Sequence, residues 1–189
     1  MGQLITLIGT YFLAGYITLL VLTLNIQMNS SIYQYQQDSF SSSSAIGISQ
    51  TMEFDMYKAG YGTSGNSLIQ ADSTAVKFLS DLDNNGTIDT VSYYMGTSVA
   101  LSSTANPNDF SVFRKQNSGT ANTVAFLTSV KFTYSDSTGA AINYASLTTQ
   151  ANRNKVDYIT SYVRCERPDS SSNAYSPVEW QLKIRPKNL

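Results

Sequence analysis

Leu4 to Leu24 reads LITLIGTYFLAGYITLLVLTL, with no charge, amide side chain or proline. At a helical rise of about 1.5 Å per residue this run spans roughly 31 Å, the thickness of a bilayer's hydrocarbon core. Such a segment suits lipid, or a bundle as apolar as lipid. The first charged residue of the chain is Asp38 and the first basic one is Lys58. A secretory signal needs a basic start and a shorter apolar stretch, so this helix is expected to stay on the protein. Gly9, Ala14 and Gly15 are small, which lets helices approach closely where no hydrophobic effect drives them together. Thr6, Thr10, Thr18 and Thr23 can return their hydroxyls to carbonyls of their own helix.

Working outward, Asn25 to Gln37 is polar and uncharged, and Ser41 to Ser44 is a run of serines. Serine hydroxyls compete for backbone groups, so the helix is expected to break there. Helical spacing resumes with Ile48, Met52, Met56 and Ala59 on one face, and Gly60 and Gly62 act as terminators. Beyond Gly62 the period becomes two. Val76 and Phe78, then Val91, Tyr93 and Met95, then Val130, Phe132 and Tyr134, then Val156, Tyr158 and Tyr162, then Trp180, Leu182 and Ile184 alternate mostly with polar residues. Turn-forming stretches separate them at Asn84 to Gly86, Thr104 to Asn108, Asn117 to Gly119, Asp136 to Gly139 and Pro168 to Asn173.

The pattern predicts an α+β fold with a long N-terminal helix, apolar in its first half and amphipathic in its second, packed on a C-terminal antiparallel β-sheet domain. Three parts follow: 1–25, an apolar transmembrane or filament-core helix; 26–60, a polar linker and the amphipathic half of the helix; 61–189, the sheet domain.

Composition narrows the function. Twelve basic against thirteen acidic residues leave a net charge of −1, which argues against nucleic acid, whose phosphates need a basic face. There is no histidine, so histidine acid–base catalysis and histidine metal sites are excluded. The lone Cys165 reads as a core strand residue, and neither a Gly-rich phosphate loop nor a nucleophile elbow is present. An enzyme is not expected.

Asp81, Asp83, Asn85, Gly86 and Asp89 follow the D-x-D-x-N-G pattern of a calcium loop, with oxygens at alternate positions and a glycine for the turn. The position that would carry a bidentate glutamate is Ser92. The same residues also read as a β-hairpin closed by an Asn85-Gly86 turn. Asp81, Asp83, Asn85 and Asp89 are the candidate calcium ligands, and no cofactor other than calcium is expected.

Four segments carry a family resemblance. Gly2-Gln3-Leu4-Ile5-Thr6-Leu7 resembles the start of a mature type IV pilin. The stretch from Glu53 to Gly62, EFDMYKAGYG, resembles the segment that closes the long helix in PilW-like minor pilins. Asp81 to Tyr94, DLDNNGTIDTVSYY, resembles the acidic hairpin of that branch, and Pro186 to Leu189 its usual ending. The resemblance implies a pilin-like protein whose helix, with Gly2, Leu4, Ile5, Thr6, Leu7, Gly9, Ala14 and Gly15 as assembly residues, packs copies into an extracellular filament. Its partners would be itself, other pilins, and the inner membrane before assembly. The family's glutamate, thought to pair with a neighbour's N-terminal amine, falls on Thr6, which can hydrogen-bond but cannot neutralise an amine. The alternative is a single-pass, membrane-anchored surface module that binds a ligand and never polymerises.

Overall fold

The computed structural model describes residues 2–96, 106–168 and 175–189. Its first element, α1 (Gly2–Tyr57), is one α-helix of 56 residues, roughly 84 Å long at the helical rise. The expected break at Ser41 to Ser44 is not there. A serine costs a helix interior only about 0.5 kcal/mol relative to alanine, whereas opening the helix forfeits cooperative hydrogen bonds and demands a second nucleation. The turn just beyond the serines is also held in place, because Ala45, Ile48 and Ser49 are buried. Propensity lost to anchoring.

That buried stripe continues through Met52, Asp55, Met56 and Ala59 at helical spacing, so the amphipathic half begins at Ala45. It packs into a core shared by two antiparallel sheets. The first has five strands in sequential order: β1 (Leu68–Ala71), β2 (Ala75–Ser80), β3 (Asp89–Met95), β4 (Phe110–Gln116) and β5 (Asn122–Leu127). The second has three: β6 (Ser129–Ser135), β7 (Tyr158–Pro168) and β8 (Tyr175–Ile184). A short helix, α2 (Gln150–Arg153), crosses between β6 and β7, and Arg153 Nε donates to Leu68 O at 3.0 Å to fix it against β1. The second sheet joins the first through Phe132 N to Ser73 O (2.8 Å) and the Tyr134 hydroxyl to Asp72 O (3.0 Å).

Alternation places the core in β2, β3 and β6 as expected: Val76, Phe78, Val91, Tyr93, Val130, Phe132 and Tyr134 are all buried. β7 has the opposite phase from the one read in the sequence. Ile159, Ser161, Val163 and Cys165 face the core, while Tyr158 and Tyr162 are half-buried on the other face. Two tyrosines looked like the apolar set, yet their hydroxyls favour the wet side and the smaller β-branched residues fill the interior. In β8 the phase is right, but only Ile184 is fully buried and Trp180 is exposed. Of the expected turns, the one at Thr104 to Asn108 is described from Asn106 onward, where Asn108 N donates to Asn106 Oδ1 (2.9 Å), and most of Pro168 to Asn173 lies outside the described residues.

The helix ends against the sheet. Ser80 Oγ donates to Lys58 O (2.7 Å), Gly60 N to Leu79 O (2.8 Å) and Asp81 N to Tyr61 O (2.8 Å). These bonds lay the segment after α1 along the end of β2, which delivers the acidic loop beside the helix terminus.

Candidate functional site

Two places carry the chemistry expected from the sequence: the N-terminal half of α1 and the loop between β2 and β3. On α1, the stretch Gly2–Gln36 is long and apolar enough to cross a membrane, and none of its most apolar part is buried by the rest of the chain. Gly2, Leu4, Ile5, Thr6, Leu7, Gly9, Ala14 and Gly15 are all exposed. Each large apolar side chain left in water forgoes about 1.5–3 kcal/mol of burial. A row containing Leu4, Ile5, Leu7, Ile8, Tyr11, Phe12 and Leu13 therefore requires lipid or protein around it.

Polar atoms within the row are satisfied internally. Thr6 Oγ1 donates to Gly2 O (3.0 Å), Thr10 to Leu7 O (2.8 Å), Thr18 to Ala14 O (2.8 Å) and Thr23 to Leu19 O (2.9 Å). Thr6 thus presents a methyl and a spent hydroxyl where the pilin pattern would present a carboxylate. An open, shallow hollow on the helix surface is lined by Gly2, Gln3, Thr6, Leu7 and Thr10. A Cβ added at Gly9 or Gly15 would meet nothing within 4 Å. The folded chain itself therefore gives no packing reason for glycines that each cost a helix about 1 kcal/mol relative to alanine.

At the other site, β2 and β3 form the expected antiparallel hairpin, with Ser80 opposite Asp89. The connection is longer than a two-residue Asn-Gly turn and runs over 81–88, with positive φ at Asn84 (59°) and Gly86 (83°). The loop carboxylates hold it together. Asp81 accepts from the amides of Asn85 (3.1 Å) and Gly86 (2.9 Å), and Asp83 from the Asn85 amide (3.3 Å) and Nδ2 (2.8 Å). Asn85 Oδ1 in turn accepts from Thr87 N (2.7 Å). Asp81, Asp83 and Asn85 are brought together; Asp89 is drawn off to Asn117 Nδ2 at 2.6 Å. Among the described residues no three Asp, Glu, Cys or His side chains are arranged to hold a metal ion. A calcium ion at this loop would draw on Asp81, Asp83 and Asn85 and compete with the amides they already serve.

The hydrogen bond from Asn117 holds the Asp89 carboxyl below its ordinary value, against the opposing effect of burial. A depressed folded pKa gives stability that is full above the unfolded value, 3.8 here, and is lost as pH falls through the folded value. Asp89→Asn removes that charge without changing shape. Its urea midpoint is expected below the wild type's at pH 7, with the gap closing below about pH 4 as the wild-type carboxylate protonates. A gap that stays constant down to pH 2.5 would mean the ionised form contributes nothing.

The sequence reading missed a third cluster. Asp55 lies on the buried stripe of α1, where its Oδ2 accepts from the Tyr93 hydroxyl (2.6 Å) and from Arg114 Nε (2.7 Å). Tyr93 and Arg114 face each other across β3 and β4. Burial first, then the Asp55 charge, pushes the Tyr93 hydroxyl well above its usual range, so it stays a donor. The signal was present: Asp55 follows Met52 by three and precedes Ala59 by four, a carboxylate on an otherwise apolar stripe.

Compared with known proteins, the chain matches no family model, no curated protein and no solved structure.

Proposed function

We propose that the protein is a structural subunit of an extracellular, type IV pilus-like filament, held in the inner membrane before assembly and then packed through α1 into the filament core. One observation carries this reading: an apolar half-helix, exposed on every side, is fused without a break to a half-helix buried in a folded domain. A membrane anchor needs only the first half. The unbroken helix adds a rigid coupling between the segment that associates and the domain it displays. Gly9 and Gly15 support close helix approach, since nothing in the folded chain occupies the space beside them. The role asks for no catalytic group.

Removing residues 1–43 tests the proposal, because among the described side chains of α1 the first buried one is Ala45. The truncated protein is expected to be soluble and monomeric by sedimentation, while the full chain forms fibres visible by negative stain. Fibres from the truncated protein would show that α1 is not the polymerising element. A full chain that stays as single copies in membranes would favour the anchored binding module.

A further inference from the structure

We infer that the open edge of β8 is a self-pairing surface, through which two copies of this chain join their three-stranded sheets by antiparallel β8–β8 contact centred on Gln181. β8 is ten residues long and pairs only with β7, so among the described residues its other edge has no strand partner. Glu179, Trp180, Gln181 and Lys183 are exposed along it. Trp180 is 43% exposed although Val163, opposite it on the same sheet face, is completely buried. Its side chain is thus on the core side of the sheet and still partly exposed.

The main chain fixes the pairing direction. Pro177 has no N–H, and a proline in an edge strand fits where that group would face solvent. The main-chain groups of Glu179, Gln181 and Lys183, at steps of two from Pro177, then also face outward and are available to a second strand.

Side chains select the partner. An antiparallel copy related by a two-fold axis at Gln181 sets Glu179 opposite Lys183 of the second copy, and Lys183 opposite its Glu179. The same register sets Trp180 opposite Leu182, and Val178 opposite Ile184. Each exposed charge meets its opposite and each apolar residue meets another, in both halves at once. A lysine and a proline on an edge ordinarily guard against strand addition. Here the lysine finds an acid only in this register, so the same residues exclude other pairings. Present contacts of the two charges are at the surface: Glu179 is 3.6 Å from Arg164 Nη1 and accepts a hydrogen bond from the Tyr162 side chain, and Lys183 Nζ lies 4.4 Å from the Tyr158 ring centre.

A two-fold axis joining antiparallel strands is normal to the sheet. A helix packed on the sheet face runs parallel to that plane, so the axis reverses α1 in the second copy. Copies joined this way carry apolar helices pointing in opposite directions, which suits lateral contact between two fibres or two membranes and not assembly along one fibre.

The test uses the full chain in detergent, which covers the apolar helix. Gln181→Cys places two thiols directly across the axis, at a Cα separation a disulfide accepts. Mild oxidation is expected to trap it as a covalent dimer on a non-reducing gel, while Lys131→Cys, exposed on β6, is not trapped. The native Cys165 is buried and serves both as background. Adding Glu179→Lys to Gln181→Cys should lower the trapped fraction on the order of tenfold, since two attractive cross-strand pairs become repulsive. Adding Lys183→Glu as well should restore it. Equal trapping at positions 181 and 131, no trapping at 181, or no recovery in the double charge swap would each overturn the inference. Recovery by the swap also shows that the single reversal had not simply unfolded the domain.

Discussion

Gly60→Ala is expected to destabilise the protein by about 3 kcal/mol or more, the sum of left-handed backbone strain and a steric clash. Gly60 follows the end of α1 with φ at +84°, and its amide donates to Leu79 O at 2.8 Å. A Cβ there would overlap the backbone carbonyl of Asn188 and come 2.9 Å from Ser67 Oγ. Neither obstacle is the far end of a flexible side chain. The C-terminal segment would have to move, although Pro186 is buried and Lys187 N reaches Tyr57 O at 3.5 Å. Gly47→Ala is the matched control within α1, because a Cβ there meets nothing within 4 Å. It should leave stability unchanged or raise it by up to about 1 kcal/mol. Urea titration of both variants decides the matter, and equal midpoints would show that the C-terminus does not close on the helix end.

The Gly60 contact also shows what the sequence could and could not disclose. Ala59-Gly60 and Pro186 to Leu189 were each noticeable as separate segments, but nothing local says that they touch. Periodicity revealed the helix faces and β2, β3 and β6, because those elements keep one apolar face against one core. It failed for β4, whose inward set is Val112 and Arg114 while Phe113 faces away, so neither face looked uniformly apolar. The bulge opposite Val112 and Phe113 lies in β5, where Val124 is the extra residue, so it is the alternation of β5 that is interrupted. β1 is too short, with a register shift of its own, to make a pattern. The serine run misled in the other direction, since local propensity says nothing of the anchoring that begins at Ala45. In the acidic loop, the turn was legible and the loss of Asp89 to Asn117 was not, because Asn117 arrives from the end of β4.

Asp55→Ala should cost about 3 kcal/mol, because it leaves two donors stranded inside the protein. The side chain of Asp55 is 4% exposed and that of Arg114 is 23% exposed, so the guanidinium can recover some water and the loss falls at the lower end for buried pairs. Tyr93 is completely buried and has no such escape. Asp55→Asn keeps an acceptor for the Tyr93 hydroxyl while removing the charge, and is expected to lose roughly half as much. The decisive measurement is a double-mutant cycle with Arg114→Leu. If the carboxylate and guanidinium act as one unit, most of the damage appears in either single variant and the second change adds little, giving a coupling energy above about 1 kcal/mol. Strict additivity would mean that each residue is held by its other neighbours and that no latch exists. Such a latch has a mechanical meaning. Asp55 is on the helix, whereas Tyr93 and Arg114 are on the five-stranded sheet, so the cluster ties the long helix to that sheet. In a filament loaded through its helices, that bond lies on the route by which force reaches the sheet. If the protein assembles through its apolar half-helix as proposed, Asp55→Ala should leave that surface, more than 30 residues away, intact and make the domain yield first.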